Sequence, residues 1–584
     1  MDRLAPQRNA NAQRNMTSHS TNSRPFGMLR AAAVATLASV VLSACGGGGG
    51  GGGNQQPPAN VTISGGITFD RIPLDATLGN GLNPAAIVES PARQVTVQAI
   101  DASSNAVLAT ATTDDNGNYS VTVPGNRNLF IRARAEMIKA GTAPTWDFRV
   151  ANNTNADAIY ALDGNAASSG TANSTRNLRA PSGFGANTYT GERAAAPFAI
   201  LDTVFRAKEL VLSAVPNTVF PELRLFWSED NRPNVGDFCP DDGDINTSSY
   251  IVFGLNDLDQ CNQPGATGIY ILGDFTIGDT DEFDQSVIAH EFGHYIEDRF
   301  GRSDSIGGDH GGSTTLLDLR VAFGEGWGNA FSGMALGGPI YRDSFDGMVQ
   351  EFGIDMEADD PLNEGWFSEA SVGEILWDLF DSTNDSGDSA ALGFAPLYAV
   401  MTGAQKTTDA LTSIFTFITG LRAAPGAPLA AIGDLLDGES IFGTDDFGAA
   451  ESNAGGDQLV LPIYKTILLG TQISVCSRSP AGNSSSNKLG NRVFLRFDND
   501  AQRLVTIQAT GATNGGGTVA ATDPDIFVLR RGVLAAFGAG TGASETIDQV
   551  PLPAGTYIIE VYDFDIDRVP GTAPRCMTVS VTGA

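Results

Sequence analysis

Asp279-Thr-Asp281-Glu-Phe-Asp284-Gln-Ser-Val-Ile-Ala-His290-Glu291-Phe-Gly-His294 carries the clearest chemical signal in the chain. Residues four apart on an α-helix share a face, so a helix through this stretch presents the imidazoles of His290 and His294 to one metal ion. Glu291 stands about 100° round the axis, within reach of a metal-bound water and badly placed as a ligand. Asp281 is positioned to cap the helix, and Asp284, three residues on, is favoured by the helix dipole. The chain has only four His, and two of them fall in this pattern. The competing reading is a pair of satisfied surface or core histidines.

A catalytic zinc takes three protein ligands and leaves a fourth position to water. One common pattern places a third His six residues past the second, but position 300 is Phe. Two downstream candidates remain. His310 lies in Gly307-Gly-Asp-His310-Gly-Gly, a flexible loop that suits a surface His better than a rigid ligand. Glu325 lies in Phe323-Gly-Glu325-Gly-Trp327-Gly-Asn329-Ala-Phe331, at the start of a helical run with large apolar partners, and is preferred.

His290-Glu-Phe-Gly-His294 followed by Gly324-Glu325-Gly326-Trp327 resembles the fungalysin branch of the gluzincins, the thermolysin-like zinc metallopeptidases. The Asp-rich lead-in is similar too. The resemblance covers roughly residues 190–470 and is strongest over 279–331. It implies His290, His294 and Glu325 as zinc ligands, Glu291 as general base, and a two-lobed α+β catalytic domain that hydrolyses peptide bonds. Ser368-Glu-Ala-Ser-Val-Gly-Glu-Ile-Leu-Trp377-Asp378 resembles a helix of that family's second lobe, although core packing accounts for it as well. There are two departures. The family usually shows Asp four residues past the ligand Glu, and here that position is Asn329, which accepts a hydrogen bond but adds no charge. Thermolysin-like enzymes stabilise the oxyanion with a Tyr and a later His, and no His follows Glu325; Tyr341 and Arg320 are the candidate replacements.

Three functions are therefore expected to compete. The first is a zinc endopeptidase acting on protein or peptide, whose extended substrate pairs with the edge of a strand near 268–272. The second is an adhesion or binding lipoprotein that keeps the zinc fold with little turnover. The third is metal-dependent hydrolysis of a non-peptide substrate.

The flanks set the context. With 584 residues the chain is too long for one hydrophobic core, and 42% hydrophobic residues are enough to build several. A net charge of -32 repels nucleic acid and anionic lipid, which excludes both as partners. Arg24 and Arg30 flank a basic start, residues 31–41 form an apolar run too short to span a bilayer, and Leu42-Ser43-Ala44-Cys45 resembles the bacterial lipobox. Residues 1–45 thus read as a lipoprotein signal, with initiation at Met16 or Met28 an alternative start, and 46–59 as a Gly-rich tether. Membrane attachment is expected only through lipid on Cys45, at a bacterial cell envelope; Gly46 favours the outer membrane. The other four cysteines allow three pairings, of which the local one, Cys239 with Cys261 and Cys476 with Cys576, is preferred; no CxxC pair exists for a structural zinc.

The fold class expected is multidomain α+β. Residues 60–155 alternate as strands, with a turn at 114–118 and a resemblance to the carboxypeptidase-regulatory-like β-sandwich. Residues 165–177 read as a linker or surface loop. A catalytic domain over 185–475 carries helices at 197–215, 323–334, 368–380, 409–421 and 429–436. Residues 487–584 return to strands, and Asp523-Pro524-Asp525-Ile526-Phe527-Val528-Leu529 with Leu552-Pro553-Ala554-Gly555-Thr556-Tyr557 resembles the bacterial pre-peptidase C-terminal β-sandwich. Calcium is a second cofactor candidate, at Asp241-Asp242-Gly243-Asp244, Asp498-Asn499-Asp500 or 563–567; solvated turns compete, because none has the EF-hand spacing.

Overall fold

The computed structural model describes residues 59–583 except 186–187, 234–237, 255–256, 277–278, 311–314, 359–362, 383–388, 480–485, 513–521 and 567–573. The expected signal, the Cys45 lipid site and nearly all of the tether lie outside the described residues. The chain is multidomain and α+β, with six sheets among the described residues.

Strand alternation builds the first part. Asn118–Pro124 buries Tyr119, Val121 and Val123 and exposes the residues between them, the period of a half-buried strand. It pairs antiparallel with Asn60–Arg71, which also takes Val88–Pro91 and, in parallel, Ser174–Thr175 and Leu178–Ala180. A second five-stranded sheet contains Thr96–Asp101, Val107–Thr112, Asn128–Arg134, Ala161–Asp163 and Ala167–Ser168. Val61, Ile63 and Val121 from one sheet meet Val97, Ala99 and Ile131 from the other in a shared core. Part of 165–177 therefore pairs into these sheets rather than standing off as a linker. Between the two visits the chain makes an excursion: Trp146–Asn152 lies parallel to Leu223–Trp227 in a different sheet.

That sheet runs in the order Ser249–Ile251, Gly268–Ile271, Leu223–Trp227, Trp146–Asn152, Glu136–Lys139. The strand at 268–271 is thus covered on both sides, and the free edge expected there belongs to Ser249–Ile251. Four helices matter for the site: α1 (Ala196–Ala214), α2 (Gln285–Arg299), α3 (Leu319–Leu336) and α4 (Glu369–Phe380). In α1, Ile200, Val204, Ala207 and Val211 are buried, as their spacing predicts. The residue before α2 is Asp284, not Asp281. One Asp284 oxygen accepts from the Ser344 backbone N–H (3.2 Å) and hydroxyl (2.6 Å), Asp281 accepts from Ser248, and the Asp284 carboxylate does not accept a helix N–H. Helix α3 begins four residues before the predicted 323, where Asp318 accepts the Arg320 N–H. The helix predicted at 409–421 is Ile414–Arg422, because Ser413 and Thr416 form a capping box that fixes its start.

Two further sheets follow, one of Tyr464–Thr466, Arg492–Asn499, Pro524–Arg530, Val533–Gly538 and Gly555–Asp563, the other of Thr471–Ser477, Arg503–Gly511, Ser544–Leu552 and Arg575–Gly583. Leu495, Phe497, Val505, Val528 and Val579 give them a core of their own. Both expected disulfides are formed. Cys476 and Cys576 stand directly opposite each other on antiparallel neighbours.

The C-terminal sheets are fixed to α3 by buried charge. Arg320 donates to Asp318 (2.9 Å) and to Glu560 (2.7 Å), and Glu560 also pairs with Arg492. Burial opposes ionisation of Glu560, but the two guanidinium groups outweigh it and hold the carboxyl at about 2. Among the described residues no helix is long and apolar enough to cross a membrane.

Candidate metal centre

Helix α2 carries His290 and His294 one turn apart, with their Nε2 atoms 3.0 Å from each other. Helix α3 brings Glu325 opposite them: its Oε2 lies 3.3 Å from His290 Nε2 and 3.4 Å from His294 Nε2. Donors placed tetrahedrally about 2.0–2.1 Å from a zinc ion stand about 3.3 Å apart. Two imidazole nitrogens and one carboxylate oxygen at these separations fit such an ion.

Outer contacts orient the donors. His290 Nδ1 is 2.9 Å from Asn329 Oδ1, so an Nδ1–H donated to this oxygen leaves Nε2 free to bind a metal. His294 Nδ1 is 3.8 Å from Oε2 of the buried Glu297. The Trp327 indole N–H donates to the Gly293 carbonyl (3.0 Å) and locks α3 onto α2. Glycine is needed at 328, where a Cβ would stand 2.6 Å from His290 Cε1. A Cβ at 326 would meet Val372 of α4 at the same distance. The glycines around Glu325 thus let three helices close on the site.

Glu291 offers a carboxylate oxygen within 4.8 Å of donor atoms of both His. Its Oε2 accepts the Tyr250 N–H at 2.6 Å, which ties it to the edge strand Ser249–Ile251. His310, expected as a surface residue, comes to the centre. Its Nε2 is 3.5 Å from Glu325 Oε2, its Nδ1 is 2.8 Å from Glu369 Oε2, and its side chain remains 40% exposed. Asn487 holds this loop by donating to the carbonyls of Gly307 (2.9 Å) and Asp309 (3.0 Å). Tyr341 lies against His290, with ring centroids 5.7 Å apart. Burial, then the charges of Asp343 and Glu291, push its hydroxyl well above the ordinary phenol range, so it stays protonated and able to donate. Arg320 is committed to Asp318 and Glu560 and does not reach the centre.

Protons compete for the same atoms. Burial works against charge on His294, yet Glu325 and Glu297 outweigh it and hold its pKa well above the ordinary value. Burial likewise opposes charge on His310, and Glu325 and Glu369 push its pKa up to about 10. Burial would raise the Glu325 carboxyl, but His310 and His294 keep it well below its usual range. A cation binding His294 must displace its proton, so uptake weakens as pH falls.

Several carboxylates of the acidic clusters expected to take calcium have protein partners. Asp244 pairs with Arg232 (2.6 Å), Asp498 with Arg496 (3.1 Å) and Asp500 with Arg503. Asp563 accepts the Asp523 and Asp565 backbone N–H groups, and Asp567 lies outside the described residues. Tyr250, Glu297, Glu369 and Gly328 were invisible to motif reading. For Gly328 alone a signal was available, a run of glycines inside a helical segment.

No family model matches the chain, and no curated protein matches it. Among solved structures, the pre-peptidase C-terminal domain of a collagenase from Bacillus anthracis is 15% identical, covering 20% of this chain and 93% of that one, with a TM-score of 0.15. Aeromonas hydrophila PliG, a periplasmic lysozyme inhibitor, is 15% identical over 20% of this chain and 96% of that one, TM-score 0.13. A Cyanothece 9R-lipoxygenase is 10% identical over 27% of this chain and 24% of that one, TM-score 0.13. Likenesses this slight carry no argument about function.

Proposed function

We propose that this chain is a zinc-dependent endopeptidase similar to the fungalysin-like gluzincins, with His290, His294 and Glu325 as metal ligands. One observation carries the reading: His290 Nε2, His294 Nε2 and Glu325 Oε2 lie 3.0–3.4 Å apart, with Glu291 beside them. Zinc held there would supply Lewis acidity, making water nucleophilic near neutral pH and polarising the scissile carbonyl.

The protein's own groups do the rest. Glu291 accepts the proton of the attacking water and returns it to the leaving amine, while Tyr250 N–H fixes its orientation. An extended substrate lies along Ser249–Ile251, the sheet's outer strand, as an added strand. His310 and Tyr341 are the donors available to a carbonyl oxygen that gains charge. The competing reading, a binding protein without turnover, draws on the lack of a His after Glu325; His310, brought in from an upstream loop, supports turnover instead. His310→Gln should lower kcat by about 10²–10³-fold while KM and zinc content change little. An unaltered kcat would remove His310 from the reaction.

We further assign the chain to a bacterial cell envelope, held by lipid on Cys45 and acting on protein or peptide; its two disulfides suit an oxidising compartment. The decisive assay is casein hydrolysis by the purified chain. Activity should vanish with o-phenanthroline and return on adding zinc. Hydrolysis that continues after the metal has been stripped would sink the proposal.

A further inference from the structure

The loop that leads into α2 and the strand Ile340–Phe345 gather a second set of carboxylates, separate from His290, His294 and Glu325. Asp279, Asp281 and Asp343 each offer an oxygen within 4.8 Å of the others. Asp281 is 3% exposed, Asp284 beside it 0%, and Thr280 2%. One oxygen of Asp281 accepts the Ser248 hydroxyl, and the other has no hydrogen-bond partner among the described residues. Asp284 is served on one oxygen by Ser344, and its other oxygen and the Thr280 hydroxyl are also without partners among the described residues. Neither Asp281 nor Asp284 forms an ion pair with a Lys, Arg or His among the described residues. Burial first, and repulsion among Asp279, Asp281, Asp284 and Asp343 second, drive the pKa values of Asp281 and Asp284 well above the carboxylate range. Carboxylates buried together with oxygens that no donor reaches are unfavourable unless a cation compensates them.

We propose that Asp279, Asp281 and Asp343 bind a divalent cation, Ca2+, whose charge is balanced further by Asp284. The donors are all oxygen, which selects a hard ion over zinc. Ligands on opposite sides of Ca2+ stand up to about 5 Å apart, which accommodates the spacing of this set. The ion would join the start of α2 to the strand that carries Tyr341, two residues from Asp343. It would thereby brace two walls of the centre that holds His290. This site is distinct from the acidic turns at 241–244, 498–500 and 563–567, and it stands whether or not the peptidase reading holds.

The test uses the full chain, freed of divalent ions on a chelating resin and compared with Asp281→Asn and Asp343→Asn. Calorimetric titration with Ca2+ should show one site more in the wild type than in either variant, or an affinity at least about tenfold higher. Ca2+ should raise the melting temperature of the wild type and leave the variants unmoved. Without Ca2+ the variants should melt at or above the wild-type temperature, because they relieve repulsion. Should a variant fail to fold, the wild-type titration decides alone: no Ca2+ uptake overturns the proposal. Equal binding by wild type and variants overturns it too, and so does an identical thermal response to Mg2+.

Discussion

Glu291→Gln should abolish most proteolysis and leave the metal in place. The amide has the shape of the carboxylate, and its oxygen can still accept the Tyr250 N–H that Glu291 takes at 2.6 Å. It cannot accept the proton of an attacking water, and positioned acid–base groups contribute about 10²–10⁴-fold to rate. A fall in kcat of that size is expected. Zinc content should be unchanged, since the proposed ligating atoms belong to His290, His294 and Glu325. Wild-type turnover in this variant would mean that the base lies elsewhere.

Glu325→Ala should empty the centre instead. The substitution removes a carboxylate oxygen that stands within 3.4 Å of both His290 and His294 Nε2. It also removes the charge that His294 and His310 face. The affinity loss should exceed the roughly 10–100-fold typical of losing an outer-contact partner. Zinc analysis after dialysis, alongside casein turnover, measures it. Full zinc retention at wild-type affinity would reject Glu325 as a ligand and point to His310, whose Nε2 stands 3.5 Å from the Glu325 carboxylate. Because His294 carries a raised pKa, zinc uptake by the wild type should weaken as pH falls, and the dependence should soften once Glu325 is gone.

The chemistry was legible where it is local. A four-residue spacing on one helix places two imidazoles together, and the short separation of Cys239 from Cys261 foretold their pairing. Glu325 was readable because glycines and large apolar residues around it mark a packed helix. What escaped depends on chain segments distant in sequence. His310 looked like a loop residue, since nothing near it announces Glu369 or the Asn487 side chain that ties the loop down. Arg320 looked available for catalysis, and Glu560 claims it from the far end of the chain. Asp281 looked like a cap, but the helix starts at Gln285 and Asp281 turns to Ser248. Periodicity says which face of a strand is buried and nothing of its neighbours, so the departure of Trp146–Asn152 into another sheet had no sequence signature.

The ion cluster at Arg320 bears on how this protein can be shortened. Arg320 sits about a turn and a half before Glu325 on the same helix. Cutting away the last sheets would take Glu560 from a buried guanidinium and leave it Asp318 alone, and a buried charge that loses one of two partners unsettles whatever holds it. The loosened element would be the one that presents the carboxylate to the two imidazoles. The trailing fifth of the polypeptide therefore acts as a keystone for the helix that carries Glu325, and trimming it by proteolysis should loosen the candidate metal centre.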